Sequence, residues 1–168
     1  MDRLSRDEEF TAFYAGSRSR LLRALVAVAA DLGEAEDALQ EAYVRAAMRW
    51  DKLDAPEAWV RHAAINLVRD SQRRTLSRRR ALRRLPPADD MTAAGMATVE
   101  VVEMLQQLPA EQREALALHY LLDLTVEQVA LDLRRPVGTV KAQLARGRAR
   151  LARMAELAEA QQEATHER

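Results

Sequence analysis

The residues with the richest chemistry in this 168-residue chain lie between Thr125 and Arg150. Thr139, Lys141, Gln143 and Arg146 cluster there, just past a Gly138 that suits a tight turn. In a DNA major groove Gln pairs bidentately with adenine and Arg or Lys with guanine, so this set points to duplex reading. A second set is carboxylate-rich: Glu34, Glu36, Asp37, Gln40 and Glu41. Helical spacing puts these residues on one convex helix surface, whereas paired catalytic carboxylates need a pocket. Read alone, it is an ordinary solvated face. His62, His119 and His166 are far apart, none has a carboxylate or His set at ligand spacing, and the chain has no cysteine. No metal site, thiolate nucleophile or disulfide is expected. The sequence also lacks a glycine-rich phosphate loop, a nucleophile elbow and a dinucleotide fingerprint. It reads as a non-enzymatic protein with no cofactor.

The elements that must position these residues are helical. Alanine occurs 32 times against five Gly and five Pro, aromatics make up 4%, and no stretch alternates with period two over a strand's length. Alanine, leucine, arginine and glutamate are strong helix formers, so the chain is predicted to be all-α. A first helix begins near Ser5, where Ser5 and Glu8 have capping-box spacing. It breaks at Gly16-Ser17 and resumes to Leu32, with Gly33 as its C-cap. Ala35, Ala38, Leu39, Ala42, Tyr43, Ala46, Ala47 and Trp50 form one apolar face, opposite Glu34, Glu36, Asp37, Gln40, Glu41, Arg45 and Arg49. Acids in its first turns and arginines in its last suit the helix dipole.

Pro56 fits the first position of the next helix, which is expected to bury Trp59, Ala63 and Leu67 and to turn basic from Arg61 through Arg69, Arg73 and Arg74. From Thr75 to Thr98 the apolar period is lost amid Arg78-Arg79-Arg80, Pro86-Pro87 and Gly95. This reads as a frayed basic helix end and a flexible linker. Periodicity returns at Val99 through Leu108, and Pro109 opens a helix carrying Leu116, Leu118 and Leu121. Thr125 caps a short helix with Val126, Val129, Ala130 and Leu133, and the last helix follows a turn containing Gly138. Short helix, turn and basic helix make a helix-turn-helix. Thr139, Lys141, Ala142, Gln143, Ala145 and Arg146 are expected to face outward, and the tail from Glu156 to be polar and frayed.

Zero net charge conceals segregation. Residues 61–84 hold nine Arg and one Asp, and residues 134–153 hold seven Lys/Arg and no acid. Mixed signs are the rule on a solvated surface, so two polyanion-facing elements are expected. The chain is 48% hydrophobic, too apolar for a disordered chain. Its longest apolar run, Ala24 to Ala30, is seven residues, far short of the ~18 needed to cross a bilayer. With no signal-peptide pattern at the start, a cytoplasmic protein without membrane insertion is expected.

The run AEDALQEAYVRAAMRW followed by PEAWVRHAAINLVRDSQRR resembles region 2 of bacterial extracytoplasmic-function sigma factors, in their actinobacterial sigma-E-like group. The run LPAEQREALALHYLLDLTVEQVALDLRRPVGTVKAQLARGRARL resembles their region 4. The resemblance covers roughly residues 7–80 and 99–153. It implies a region 2 helical bundle over 1–80, a linker over 81–98, a region 4 helix-turn-helix over 99–155 and a tail over 156–168. It implies core RNA polymerase and promoter DNA as partners, and an anti-sigma factor as a further one.

In the family, the helix matching Glu34–Trp50 docks on the β′ clamp helices, which makes Asp37, Gln40 and Glu41 the implied polymerase-binding residues. The loop matching Asp51–Ala55 and the helix after it read the −10 element on a single strand. Lys52, Asn66, Arg69, Asp70, Arg73 and Arg74 occupy matching positions, the arginines as phosphate contacts. Region 4 would bind the −35 duplex through Thr139, Lys141, Gln143 and Arg146 and touch the β flap. Departures occur at Ala142 and Gln143, where Ser or Arg is frequent, at Ala145, where an aromatic or His is frequent, and at Arg135, where an apolar turn residue is usual. A dimeric helix-turn-helix regulator that binds duplex DNA without polymerase is the alternative, and a helical adaptor that contacts protein only is a third; the latter leaves both basic blocks without a role.

Overall fold

The computed structural model describes residues 3–82 and 96–166, with side chains over 5–75 and 101–160. Among the described residues there are seven α-helices and no strand: α1 (Arg3–Ala29), α2 (Leu32–Ala47), α3 (Pro56–Leu82), α4 (Met96–Gln106), α5 (Ala110–Leu116), α6 (Val126–Leu133) and α7 (Val137–His166). A 3-10 turn, Trp50–Lys52, precedes α3, and a π-helical turn, Ala117–Leu121, continues α5. The chain divides into two compact units, Met1–Val102 and Glu103–Arg168. Most of the predicted linker, residues 83–95, lies outside the described residues.

The first unit is built on α1, α2 and α3, each packed on the other two. Its core is Leu21, Leu25 and Val28 of α1, Leu39 and Tyr43 of α2, and Val60, Ile65 and Val68 of α3. Burying each large aliphatic side chain contributes about 1.5–3 kcal/mol. Ala24, Ala27, Ala35, Ala42, Ala46 and Ala64 are buried between them and allow the helix axes to come close.

Four sequence expectations change here. The break at Gly16-Ser17 is absent, since α1 is continuous. A Cβ at Gly16 would meet nothing within 4 Å, so its cost is only the glycine's backbone entropy. Ser17 is satisfied inside the helix, its hydroxyl donating to the Phe13 carbonyl over 2.7 Å. Gly33 is not the C-cap. α1 stops at Ala30, in the left-handed region with φ 58°, and Asp31 caps α2 by accepting the Glu34 N–H over 2.7 Å. On α3 the buried stripe is Val60, Ala64, Ile65 and Val68, displaced by one residue from the expected Trp59, Ala63 and Leu67, which are half-buried. α3 also continues to Leu82 where fraying was expected.

In the second unit, α5 and α6 both pack on α7. Leu116, Leu118, Val129, Leu133, Val140 and Leu144 are buried there, with Leu105, Leu108, Leu122 and Leu124 around them. Thr125 and Gln128 close a full capping box at the start of α6, with bonds of 2.9 and 3.2 Å. The turn into α7 is made not by Gly138 but by Arg134, left-handed at φ 51°, after which the Arg135 N–H reaches back to the Ala130 carbonyl over 3.0 Å. This bond ends a helix by satisfying one of its last carbonyls. Gly138 lies within α7, with ordinary φ and open space where a Cβ would be. α7 runs unbroken to His166, through the expected frayed tail.

Candidate nucleic-acid and partner interfaces

Apolar periodicity places Ala35, Ala38, Leu39, Ala42, Tyr43 and Ala46 of α2 in the core, which leaves the opposite face outside. Asp37, Gln40 and Glu41 are all exposed on it. Glu41 pairs with Arg45 over 2.7 Å on the same helix, while Glu34 is drawn inward and accepts from the Ser71 hydroxyl of α3 over 3.1 Å. Val44 and Met48 continue the stripe, being three and seven residues beyond Glu41, and they are 43% and 77% exposed. An apolar extension to an acidic ridge is suited to a protein partner. The sequence signal was present in the helical spacing from Asp37 through Gln40 and Val44 to Met48, but a chain rich in alanine makes two more apolar residues inconspicuous.

The loop between α2 and α3 is held from several sides. Trp50 sits 5.2 Å from Phe10 and 5.1 Å from Phe13 between ring centroids, and Phe10, Phe13 and Tyr14 also pack against Tyr43. Arg49 stacks its guanidinium 5.1 Å over Trp59, which explains why Trp59 stays at the rim of the core. Arg6 donates to the Ala47 carbonyl over 2.8 Å and pairs with Asp51 at 3.2 Å. Arg20 forms a two-pronged contact with Glu57, 2.6 Å to each carboxylate oxygen, tying α1 to the first turn of α3. Lys52 projects from this braced turn and is exposed.

Asn66, Arg69, Asp70, Arg73 and Arg74 share one broad face of α3. Asn66 and Arg69 are half-buried, and Asp70, Arg73 and Arg74 are exposed. Asp70 is bonded to Arg73, and Arg74 donates from Nε to the Asp70 carbonyl over 3.2 Å. Arg61, expected to begin the basic face, is buried. Arg78, Arg79 and Arg80 have side chains outside the described residues.

On α7 the expected set divides. Thr139 and Arg146 are exposed and line an open groove of about 370 Å³ with Pro109, Glu111, Gln112, Gly138, Ala142 and Gln143. Lys141 is exposed but lies roughly 160° round the helix from Thr139. Ala145 is also exposed, whereas Ala142 is half-buried. Gln143, expected to face outward, is only 6% exposed. Val140, Gln143, Leu144 and Gly147 fall at helical spacing, so position 143 belongs to the buried stripe.

Around Gln143 is a polar cluster from three elements. Arg135 donates to Glu114 over 2.5 Å and to the Gln143 Oε1 over 3.2 Å, and it reaches the Glu111 backbone carbonyl over 3.3 Å. Gln143 in turn donates from Nε2 to the Glu111 carboxylate over 3.4 Å. Neighbouring Arg113 is partly withdrawn from water; burial lowers its pKa and the charge on Glu114 opposes that shift.

Residues 13–85 match Sigma-70 region 2, and residues 98–151 match Sigma-70, region 4. The chain is 35% identical over 131 residues to the probable RNA polymerase sigma-C factor of Mycobacterium bovis, covering 73% of this chain and 71% of the relative. It is 28% identical over 148 residues to the RNA polymerase sigma-E factor of Streptomyces coelicolor, covering 85% and 84%. A crystal structure of the sigma factor RpoE with the anti-sigma factor NepR from Bartonella quintana shares its fold, with a TM-score of 0.65, 21% identity and coverage of 86% and 97%. CnrH in complex with the cytosolic domain of CnrY shares it at a TM-score of 0.62 and 20% identity. Among the described residues no helix is long and apolar enough to cross a membrane.

Proposed function

Because this chain belongs to the extracytoplasmic-function sigma factors of RNA polymerase, as does the 35% identical SigC of Mycobacterium tuberculosis, we propose that it acts in the cytoplasm as a dissociable initiation subunit with no catalysis of its own. Residues 1–80 form the polymerase-docking and −10 module, and residues 99–155 the −35 module. The observation that carries this reading is the pairing, in one chain, of an exposed acidic ridge on α2 with basic helix faces in both units.

Asp37, Gln40 and Glu41, extended by Val44 and Met48, dock on a basic surface of core RNA polymerase. Lys52 on its braced turn, with Asn66 and Asp70, meets bases of the melted −10 strand. Arg69, Arg73 and Arg74 hold phosphates, a contribution independent of sequence and weakened by salt. Thr139 and Arg146 enter the −35 major groove, and Lys141 on the far flank of α7 holds the backbone. Each module binds weakly alone; fixed on polymerase, each raises the effective concentration of the other. Capture of single-stranded bases then favours the open duplex. The similar fold of the sigma factor RpoE in complex with the anti-sigma factor NepR supports an anti-sigma factor as a further partner.

Transcription reconstituted from core polymerase, this chain and promoter templates tests the reading. Initiation from specific promoters that depends on the added chain is the expected result. Tight, selective binding of duplex DNA by a dimer of the chain alone would favour the polymerase-independent regulator.

A further inference from the structure

Glu114 is a carboxylate with a side chain only 7% exposed, and a buried carboxylate is tolerated only where charge and hydrogen bonds compensate its lost hydration. Arg135 supplies a cation at 2.5 Å from outside α5, its own side chain 19% exposed. It comes from the turn itself, one residue after the left-handed Arg134 and two before α7 begins. The same guanidinium engages the Gln143 amide oxygen and the Glu111 carbonyl, and the Gln143 amide nitrogen meets the Glu111 carboxylate. Both ends of Gln143 are therefore occupied by protein, and the side chain is withdrawn from solvent.

We propose that Arg135 is the positioning residue that seats the recognition helix on α5, and that Gln143 belongs to this seat and reads no base. This rests on the −35 reading above and changes which residues carry it. A planar five-donor guanidinium can join a carboxylate, an amide oxygen and a backbone carbonyl at once, which a point-charge ammonium cannot. The clamp fixes the start of α7 against α5, so it sets the depth at which Thr139 and Arg146 enter the groove. Base selectivity then lies with Thr139, Arg146 and the methyl of Ala142, which line the groove beside Gln143 and are more exposed than it is.

The test uses holoenzyme assembled from core polymerase and the full chain, with open-complex formation measured on promoters carrying single-base changes across the −35 element. Gln143→Ala is expected to weaken every sequence by a similar factor, about threefold, with the ranking unchanged. Arg135→Ala should weaken every sequence about tenfold, again with the ranking kept, and with the same salt slope because no phosphate contact is lost. An arginine at 143 can place its guanidinium where that of Arg135 was, since Gln143 lies 3.2 Å from it. Arg135→Ala combined with Gln143→Arg should therefore recover most of the loss. Arg135→Lys, which keeps the charge but not the fork, should be intermediate, and it carries the test if Arg135→Ala loses helicity. A shifted preference at one base on Gln143→Ala overturns the proposal by making Gln143 a reader. A salt slope reduced by about one on Arg135→Ala makes Arg135 a phosphate contact and also overturns it. So does a folded double variant that recovers nothing. Wild-type protein that ranks no −35 sequence would overturn the promoter reading itself, whereas a ranked panel with contrary variants overturns this inference alone.

Discussion

Gly147 of α7 approaches Leu116 of α5 so closely that a Cβ on it would lie 2.6 Å from Leu116 Cδ1 and 3.2 Å from its Cγ. Leu116 is itself 1% exposed and has little room to retreat. The contact sets the spacing between α5 and the recognition helix, on the same crossing that Arg135 and Glu114 clamp. Gly147→Val should destabilise the second unit by about 2–3 kcal/mol, because overpacking a closed contact outweighs any relief of the glycine's backbone entropy. Urea unfolding followed by helix circular dichroism measures it; an unchanged midpoint would mean that the two helices can separate without cost.

Arg6 braces the loop carrying Lys52 through the Ala47 carbonyl and Asp51. Arg6→Met keeps the stem and removes the bonds. Amide exchange at Lys52 and Leu53 should quicken and open-complex formation should fall severalfold, while total helicity is kept. Both bonds are partly exposed, so the stability cost should be about 1 kcal/mol or less. Unaltered exchange at these amides would show that the aromatic packing of Trp50 holds the loop unaided.

Tyr43 ties α2 to α1, its hydroxyl donating to Ser17 Oγ over 2.6 Å, since the Ser17 proton is committed to the Phe13 carbonyl. Burial pushes its phenol above the usual tyrosine pKa. The unfolded chain thus releases this proton first, and the folded state loses stability as pH rises through and beyond about 10. Below that pH the contribution is complete. Tyr43→Phe should cost about 1 kcal/mol near neutrality, and the gap between wild type and variant should narrow above about pH 10. Parallel curves from neutral to alkaline pH would remove Tyr43 as the cause.

What could be read from sequence alone depended on how local the cause was. Pro56 and Thr125 mark helix starts through their own backbone and side-chain chemistry, and both elements begin there. The α2 stripe stood out because Ala35 through Ala46 keep strict helical spacing, and Asp37, Gln40 and Glu41 are exposed as that spacing requires. Errors arose where a distant contact decided the outcome. Ser17 looked like a breaker until Tyr43 and Phe13 satisfied it. Gly138 looks like the turn in sequence, yet Arg134 adopts the left-handed conformation and the next residue, Arg135, is anchored to Glu114. Gln143 is expected to face outward from its polar type, but its position lies one turn from both Val140 and Gly147 on the buried side.

Val44 and Met48 prolong the acidic ridge of α2 with exposed apolar surface. Replacing both by lysine should weaken core-polymerase binding about tenfold or more without lowering helix content, since exposed positions tolerate lysine and burial of the apolar pair on docking is lost. Equal affinity would confine the docking surface to the carboxylates.

The docking role of the α2 ridge is tested most directly by the affinity of this chain for core RNA polymerase, measured at low salt with wild type and with Asp37→Arg combined with Glu41→Arg. Saturable binding by the wild type and a loss of at least about a hundredfold in the folded variant are expected, because two contacts become repulsive. A wild-type chain that does not bind the polymerase, or a variant that binds equally well, would contradict it.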